Sequence, residues 1–241
     1  MITYTKLLIM CMFSLLYKEV PAIEHSQNKA HIQHREDVQV LGGMFVDTGS
    51  RGLLVNSYID PLILAAMSFE ESRYRQHGPD GDPALGGIVP PTLIRNTKGK
   101  VVGVIHKKRT KPKGQSIGPM QISRSAPYWV KIWTENDPDI GIPWMGLTVT
   151  KLREPAVNIA FAYSLLEKYK RDCGESPAVW IDSYGRGKCS YISKGKRRVG
   201  KKAKKRCKHI DAFVKKLSKQ SEEFEAPKNW SCLDWVPEKV K

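Results

Sequence analysis

The chain has 241 residues, enough for one sizeable domain with flanking segments and too few for several large domains. Hydrophobic residues make up 41% of it, an ordinary share for a soluble globular protein, whereas the formal net charge of +16 is not ordinary. Such a charge implies an anionic partner, which could be nucleic acid, a membrane surface, or the carboxylates and phosphates of a bacterial wall.

Residues 1–22 have the pattern of a secretory signal peptide. Lys6 precedes an apolar run over 7–16, and Val20-Pro21-Ala22 offers small residues to a signal peptidase. The run is about half of the roughly 20 residues that a membrane-spanning helix needs. Cys11 could suggest a lipoprotein, but the residues before it are too bulky for that cleavage site. We therefore expect an exported protein, periplasmic or secreted, that loses residues 1–22.

Cysteine usage agrees with export. Without the signal peptide four cysteines remain, an even number in an oxidising compartment: Cys173, Cys189, Cys207 and Cys232. Three pairings are possible. Because Cys173 and Cys189 bracket a turn around Tyr184, we pair these two, and Cys207 with Cys232 by default. No Cys-x-x-Cys spacing is present, so we expect no zinc site. We also expect no other metal and no cofactor.

Residues 23–52 are predicted to be a linker, because they are polar and then rich in glycine. His25, His31 and His34 in this segment are expected to face solvent and not to bind a metal.

The stretch Ile59–Tyr74, IDPLILAAMSFEESRY, is predicted to form an amphipathic helix that starts at Asp60 and Pro61. Its end carries two adjacent carboxylates, Glu70 and Glu71, and the C-terminal end of a helix has partial negative charge. A partly desolvated Glu there should resist ionisation, as a general acid must. From spacing alone, a solvated surface Glu is the commoner case. The apolar positions recur at steps of three and four: Leu62, Ala65, Ala66 and Phe69.

Residues 75–117 form an insertion rich in turn-forming residues, within which Lys100–Lys108 alternates enough to predict one strand of a short hairpin. A loop of this length beside a site is more often functional than idle. It could line a groove or cover it.

Helical segments are predicted at 128–133, at Leu152–Lys170 and from Pro177 toward Tyr184. Asn158, in the second, is either a buried polar bridge or exposed. Three tryptophans could stack on sugar rings, although core packing is their commoner role: Trp129, Trp133 and Trp144.

Residues 193–241 are predicted to be a basic helix and a C-terminal tail packed on the domain. The block 194–219 has thirteen Lys or Arg residues and one Asp, and it keeps an apolar stripe at helical spacing. The exposed side is either a solvated face or a docking surface for anionic wall polymer, membrane or nucleic acid. Charge alone does not separate these.

Four stretches, in this order, resemble the lytic transglycosylases related to goose-type lysozyme. ESRY at 71–74 and GPMQI at 118–122 resemble the Glu-Ser and Gly-Leu-Met-Gln-Ile pair of that family. EPAVNIAFAYSLL at 154–166 resembles its Asn-bearing helix, and SYGRG at 183–187 resembles its Tyr-Asn-Ala-Gly turn. The resemblance implies a mainly α, lysozyme-like domain of the soluble lytic transglycosylase type over 53–192, with the small β-hairpin insertion.

The resemblance also implies the chemistry. Lytic transglycosylases use one Glu twice, here Glu71, whereas most glycosidases need two carboxylates. The Glu protonates the oxygen between N-acetylmuramic acid and N-acetylglucosamine. It then takes the proton of the muramoyl C6 hydroxyl, which attacks C1 and leaves a 1,6-anhydro end.

Substrate-binding roles follow from the same resemblance. Ser72 would orient the site beside Glu71, Asn158 would be a buried bridge, and Tyr184 would reach Glu71 or the substrate. The loop under the sugar would contain Gly118, Met120 and Gln121. The chain departs from the family at Gly185, where Asn is usual, and at Pro119, where Leu is usual.

Two alternatives remain. Asp80 or Asp82 could hold a water molecule and make the enzyme a hydrolytic, goose-type lysozyme. A non-catalytic, cationic wall-binding protein with a degenerate lysozyme-like fold is the second. The expected partners are peptidoglycan strands, and anionic wall or outer-membrane polymers through the basic helix. We expect a monomer that does not bind nucleic acid, since no known binding motif is present.

Overall fold

The protein is mainly helical in the computed structural model, which describes residues 4–53, 60–76, 92–95, 101–105, 116–174, 176–189, 192–193, 196–197, 199–220 and 231–232. The helices are α1 (Tyr4–Glu19), α2 (Lys29–Leu53), α3 (Pro61–Ser72), α4 (Ala126–Asn136), α5 (Pro138–Gly141), α6 (Pro155–Cys173), α7 (Pro177–Arg186) and α8 (Lys201–Gln220). Short 3-10 helices lie at Pro21–Ile23, Ile142–Trp144 and Lys151–Arg153. The predicted mainly α class is confirmed.

Helix α3 forms the centre of the core. Its residues from Pro61 to Phe69 are all buried, and it packs on α1, α2 and α8. The Asp60 carboxylate accepts a hydrogen bond of 2.9 Å from the Leu62 amide, with Pro61 at the first helical position, so the predicted start is confirmed. The helix ends where Arg73 takes a left-handed conformation with φ 58°.

The predicted linker over 23–52 is wrong for most of its length, because Lys29–Leu53 is helix α2. Its inward face buries Val38, Leu41 and Phe45, which lie three and four residues apart. Gly42 lies against α1, since a Cβ atom there would be 2.3 Å from Ile9 Cγ1. The glycine therefore serves close helix packing here and does not mark a loop.

His34, expected to face solvent, is buried instead. Its Nε2 donates a hydrogen bond of 2.5 Å to the Arg73 carbonyl. The side chain thereby ties α2 to the turn that ends α3.

The segment predicted as a signal peptide contains α1, which packs on α2, α3 and α8. The Tyr4 hydroxyl donates to Asp60 Oδ1 at 2.8 Å, next to the start of α3. Among the described residues, no helix is both long enough and apolar enough to cross a membrane. The side chains that α1 buries are Leu7, Leu8, Cys11, Met12 and Leu16.

Helix α7 packs between α6 and α8, and two disulfides fasten this part of the fold. Cys173 at the end of α6 is bonded to Cys189, and Cys207 in α8 is bonded to Cys232. Both predicted pairings are confirmed.

The strands occur as two-stranded antiparallel pairs: β1 (Thr92–Arg95) with β2 (Val101–Ile105), β3 (Ser116–Ile117) with β4 (Ile122–Ser123), and β5 (Ile192–Ser193) with β6 (Lys196–Arg197). In the first pair Thr92 lies opposite Ile105, so the strand predicted within Lys100–Lys108 is confirmed as β2. Asp80 and Asp82 lie outside the described residues.

Candidate active site

A cleft of about 760 Å³ lies along α3, α4, α6, α7 and α8. This volume is within the range of roughly 300–1,000 Å³ that is usual for small-ligand sites. Glu71, Gln121 and Tyr184 line it together. Phe161 and Leu165, from the stretch 154–166, line it as well, so all four stretches picked out in the sequence contribute side chains to one cleft.

Asn158 holds the turn that carries Gln121. The Asn158 side chain is fully buried, and its Oδ1 accepts a hydrogen bond of 2.9 Å from the Met120 amide. Its Nδ2 donates to the Ile117 carbonyl at 2.9 Å and to the Leu152 carbonyl at 3.1 Å. Of the two interpretations of this residue, the buried bridge is the one observed, and its contacts are to backbone.

The GPMQI segment is a tight turn between β3 and β4. Gly118 has φ 75°, and a Cβ atom there would lie 2.7 Å from Asn158 Cγ, so both the conformation and the space require glycine. Gln121 has φ 52°, and its Nε2 donates to the Gly118 carbonyl at 2.8 Å. Ser68 Oγ also donates to the Pro119 carbonyl at 3.2 Å. Gly118 and the buried Met120 thus shape the turn, while Gln121 reaches the cleft.

Tyr184 lies in the last turn of α7, not in a turn after it, because the helix continues to Arg186 and Gly187 caps it with φ 70°. The Tyr184 hydroxyl donates to the Met120 carbonyl at 2.7 Å. Burial, with a smaller contribution from Tyr169, raises the pKa of Tyr184 well above its ordinary value. Tyr184 therefore acts as a neutral donor that joins α7 to the turn.

Glu71 faces the cleft with its side chain 14% exposed, and Arg206 of α8 contacts it. Arg206 Nη2 donates to Glu71 Oε1. A guanidinium beside a carboxylate favours the ionised form. This contact opposes the expectation that Glu71 resists ionisation, which considered only burial and the helix end.

Arg206 was missed in the sequence because it is 135 residues away from Glu71 along the chain. One signal was present. Arg206 falls on the apolar stripe of the basic helix, beside Ala203, Cys207 and Ile210, where a solvated cation would not be expected. A charged residue on that face indicates a buried partner.

Glu70 points away from the cleft, toward α8. Its Oε1 lies 3.1 Å from His209 Nδ1, 3.2 Å from Lys205 Nζ and 3.8 Å from Arg73 Nη1. Burial alone would raise the pKa of Glu70, but the neighbouring His209, Arg73 and Lys205 outweigh it, so the pKa lies below its ordinary value. Both glutamates are therefore ion-paired, but Glu71 lines the cleft and Glu70 does not.

Ser72 does not line the cleft. Its hydroxyl donates to the Ser68 carbonyl at 3.1 Å, within α3 itself. The structure therefore separates Ser72, at the end of the helix, from the group formed by Glu71, Gln121 and Tyr184.

Aromatic side chains form another part of the cleft wall. Trp129 is 46% exposed there, whereas Trp133 stacks on Phe161 with ring centroids 6.3 Å apart. Trp144 meets Phe161 edge to face at 5.0 Å and donates to Ser164 Oγ at 3.1 Å. Trp129 meets Tyr128 edge to face at 5.4 Å and still exposes apolar surface, while the other two tryptophans pack on Phe161.

A second carboxylate, Asp172, also lines the cleft. Lys168 Nζ lies 2.5 Å from its Oδ2 and Arg171 Nε lies 2.9 Å from its Oδ1. Burial raises the pKa of Asp172, but Lys168 and Arg171 lower it by more, so the pKa lies below its ordinary value. Within the part of the chain that the structure describes, no group of three or more His, Cys, Asp or Glu residues could hold a metal ion.

No protein-family model matches the sequence, and no curated protein or solved structure matches it significantly.

Proposed function

We propose that the protein cleaves peptidoglycan as a lytic transglycosylase, with Glu71 as its single catalytic carboxylate. The observation that carries the proposal is the placement of Glu71, Gln121 and Tyr184 around one cleft, on segments joined by the hydrogen bonds of Asn158 and Ser68. Buried polar side chains that fix a turn beside an acid provide the preorganisation that a glycosidase site needs.

The proposed reaction needs only one carboxylate. Glu71 donates a proton to the glycosidic oxygen as the C1–O bond breaks, and it then removes the proton of the C6 hydroxyl as O6 bonds to C1. Because the nucleophile belongs to the substrate, no second carboxylate has to hold a water molecule. The other carboxylate in the cleft, Asp172, is already paired with Lys168 and Arg171, and the proposed reaction gives it no role.

The cleft also has surfaces suited to this polymer. Trp129 offers an apolar ring on which a sugar can stack. The lining also includes the exposed cations Lys188 and Lys202, which complement the carboxylates of stem peptides.

Export is part of the proposal. Two disulfides are compatible with an oxidising, extracytoplasmic compartment. Peptidoglycan lies in that compartment. Cleavage before Ile23 would remove α1, which packs on α2, α3 and α8. N-terminal sequencing of the protein from the extracytoplasmic fraction tests it: Ile23 as the first residue would support the signal peptide, and an intact N-terminus in the cytoplasm would contradict export.

A second candidate is a cationic wall-binding protein without catalytic activity. The observation in its favour is the Arg206 contact, because an acid paired with a guanidinium is a poorer proton donor.

Mass spectrometry of the products from purified peptidoglycan distinguishes these functions. The wild-type protein should release muropeptides with 1,6-anhydro ends, lighter by one water molecule than the products of hydrolysis. Glu71→Gln should release none. Glu70→Gln is the matched control, because it alters the adjacent carboxylate that faces α8, and it should retain the cleavage.

Products with reducing muramic ends would identify a lysozyme and direct attention to Asp80 and Asp82. Wall binding without any product would establish the non-catalytic alternative. Unchanged products from a folded Glu71→Gln variant would refute Glu71 as the acid.

A further inference from the structure

Arg206 is buried against the backbone of α7. Its side chain is 1% exposed, and Nη1 donates to the Ile181 carbonyl at 3.2 Å while Nη2 donates to Glu71. Gly185 of α7 packs against the guanidinium, since a Cβ atom at that position would be 3.1 Å from Nη1. The guanidinium is therefore held between α7 and the cleft-facing carboxylate of α3.

The charge of Arg206 persists at this buried position. Burial lowers the pKa of Arg206 to about 10, with the charge of Glu70 opposing the shift. The group is thus a cation at neutral pH. Glu70 is itself engaged by His209, Lys205 and Arg73, so its charge is shared among several partners.

Other titratable groups reach the cleft from each neighbouring element. Helix α7 and the turn after it contribute Tyr184, Arg186 and Lys188, and Arg186 is paired with Asp182 at 2.5 Å. Helix α6 contributes Lys168, Tyr169 and Asp172, and α8 contributes Lys202 besides Arg206. Among these groups, Arg206 is the one with a direct contact to Glu71 in the described part of the chain.

We propose that Arg206 is a positioning residue that sets the charge state of Glu71, holding it as an oriented carboxylate between proton transfers. The inference rests on the proposed function, in which Glu71 gives a proton to the leaving oxygen and receives one from the C6 hydroxyl. Arg206 stabilises the carboxylate that exists between these two steps. It also restricts the protonated, active form of Glu71 to more acidic pH.

Two measurements on folded protein test this role. The first is the pH–rate profile of glycan cleavage, and the second is the titration of the Glu71 carboxyl followed by carbon-13 NMR, which needs no activity. In Arg206→Gln the midpoint for Glu71 and the alkaline limb of the profile should both move to higher pH, by about 1–3 units. Arg206→Lys keeps a cation and should move them less.

Lys205→Gln is the matched control. Lys205 is the preceding residue on α8, but it pairs with Glu70 and not with Glu71. Its replacement should leave the Glu71 midpoint in place. Circular dichroism and thermal unfolding of each variant separate a change in titration from a loss of fold.

The outcomes distinguish this inference from the function on which it rests. An unchanged Glu71 midpoint in Arg206→Gln overturns the role of Arg206, even if Glu71→Gln abolishes cleavage. A shifted midpoint without glycan products from any variant supports the control of the Glu71 charge by Arg206 and overturns the glycosidase. Should Arg206→Gln not fold, the wild-type titration decides: a Glu71 midpoint above that of an ordinary glutamate overturns the inference.

Discussion

Asn158 fixes the turn that carries Gln121 by bonding to three backbone groups. Asn158→Ala would leave the Met120 amide and two carbonyls without that partner. An unsatisfied buried polar group costs about 1–3 kcal/mol, so we expect the free energy of unfolding to fall by about 2–5 kcal/mol. Urea unfolding measures it. Asn136→Ala is the control, because Asn136 is exposed and its amide bonds only within α4; a loss as large there would contradict a specific role for Asn158.

His34 is a buried base whose protonation should weaken the fold. Burial lowers the pKa of His34, and Arg75 and His31 act in the same direction, while the Arg73 carbonyl and Asp37 oppose them. As pH falls through the ordinary histidine value of about 6.5, the unfolded state takes up the proton first. The stability that neutral His34 contributes is therefore present above that pH and is lost below it.

Thermal unfolding between pH 7.5 and 5.5 checks this prediction. His34→Gln can still donate to the Arg73 carbonyl but does not titrate, so its stability should depend less on pH than that of the wild-type protein. His25→Gln, at a side chain that is 91% exposed, should leave the pH dependence unchanged. Parallel curves for His34→Gln and wild type would show that His34 does not carry the effect.

At the scale of elements, local sequence signals predicted α3, α6, α7 and α8 and failed at α2. The start of α3 was predictable because Asp60 and Pro61 act on the helix that immediately follows them. Helix α2 was not predictable from local signals, because the roles of Gly42 and His34 depend on contacts with distant residues. Gly42 packs against α1, and His34 binds the Arg73 carbonyl. Properties set by contacts between distant segments are not readable from composition.

The disulfide between Cys173 and Cys189 joins the end of α6 to the chain after α7, next to the cleft wall. It spans 16 residues, and the loop-entropy estimate for a closure of that size is about 3 kcal/mol. The double variant Cys173→Ser/Cys189→Ser should therefore unfold roughly 6–12 °C below the wild-type protein under oxidising conditions. Differential scanning calorimetry measures the difference.

Reducing conditions provide the control for this variant. Once both bridges are reduced, the wild-type protein and the double variant should unfold at similar temperatures. An equal melting temperature under oxidising conditions would mean that the bridge contributes no stability.

For the whole molecule, composition shows the excess of positive charge. It does not show that one cation of α8 is buried against Glu71 while others face solvent. On α8, Arg206 points inward to Glu71, while a lysine stripe faces solvent. The stripe is Lys201, Lys204, Lys208, Lys215 and Lys219, at steps of three, four and seven that keep one helical face. The sequence predicted the stripe as an amphipathic pattern. It could not predict the inward contact, because α3 and α8 meet only in the folded chain.

The lysine stripe should dock the protein on anionic wall polymer. Replacing Lys204, Lys208 and Lys215 by Gln removes three exposed charges from one face. Because each cation near an anionic surface contributes on the order of 1 kcal/mol, we expect binding to purified sacculi to weaken roughly tenfold or more. Co-sedimentation at several salt concentrations measures the affinity, which should fall as salt screens the charges.

We expect the position of the lysine stripe, and not only the net charge, to determine binding. The control variant therefore removes the same number of charges from other surfaces. Lys131, Lys151 and Arg153 are exposed on other surfaces, and replacing them by Gln lowers the net charge equally. Because most of the field close to α8 comes from its own lysines, that control should bind sacculi nearly as well as wild type at physiological salt. Equal weakening in both triple variants would mean that the protein is held by its overall charge, and α8 would then be a solvated face.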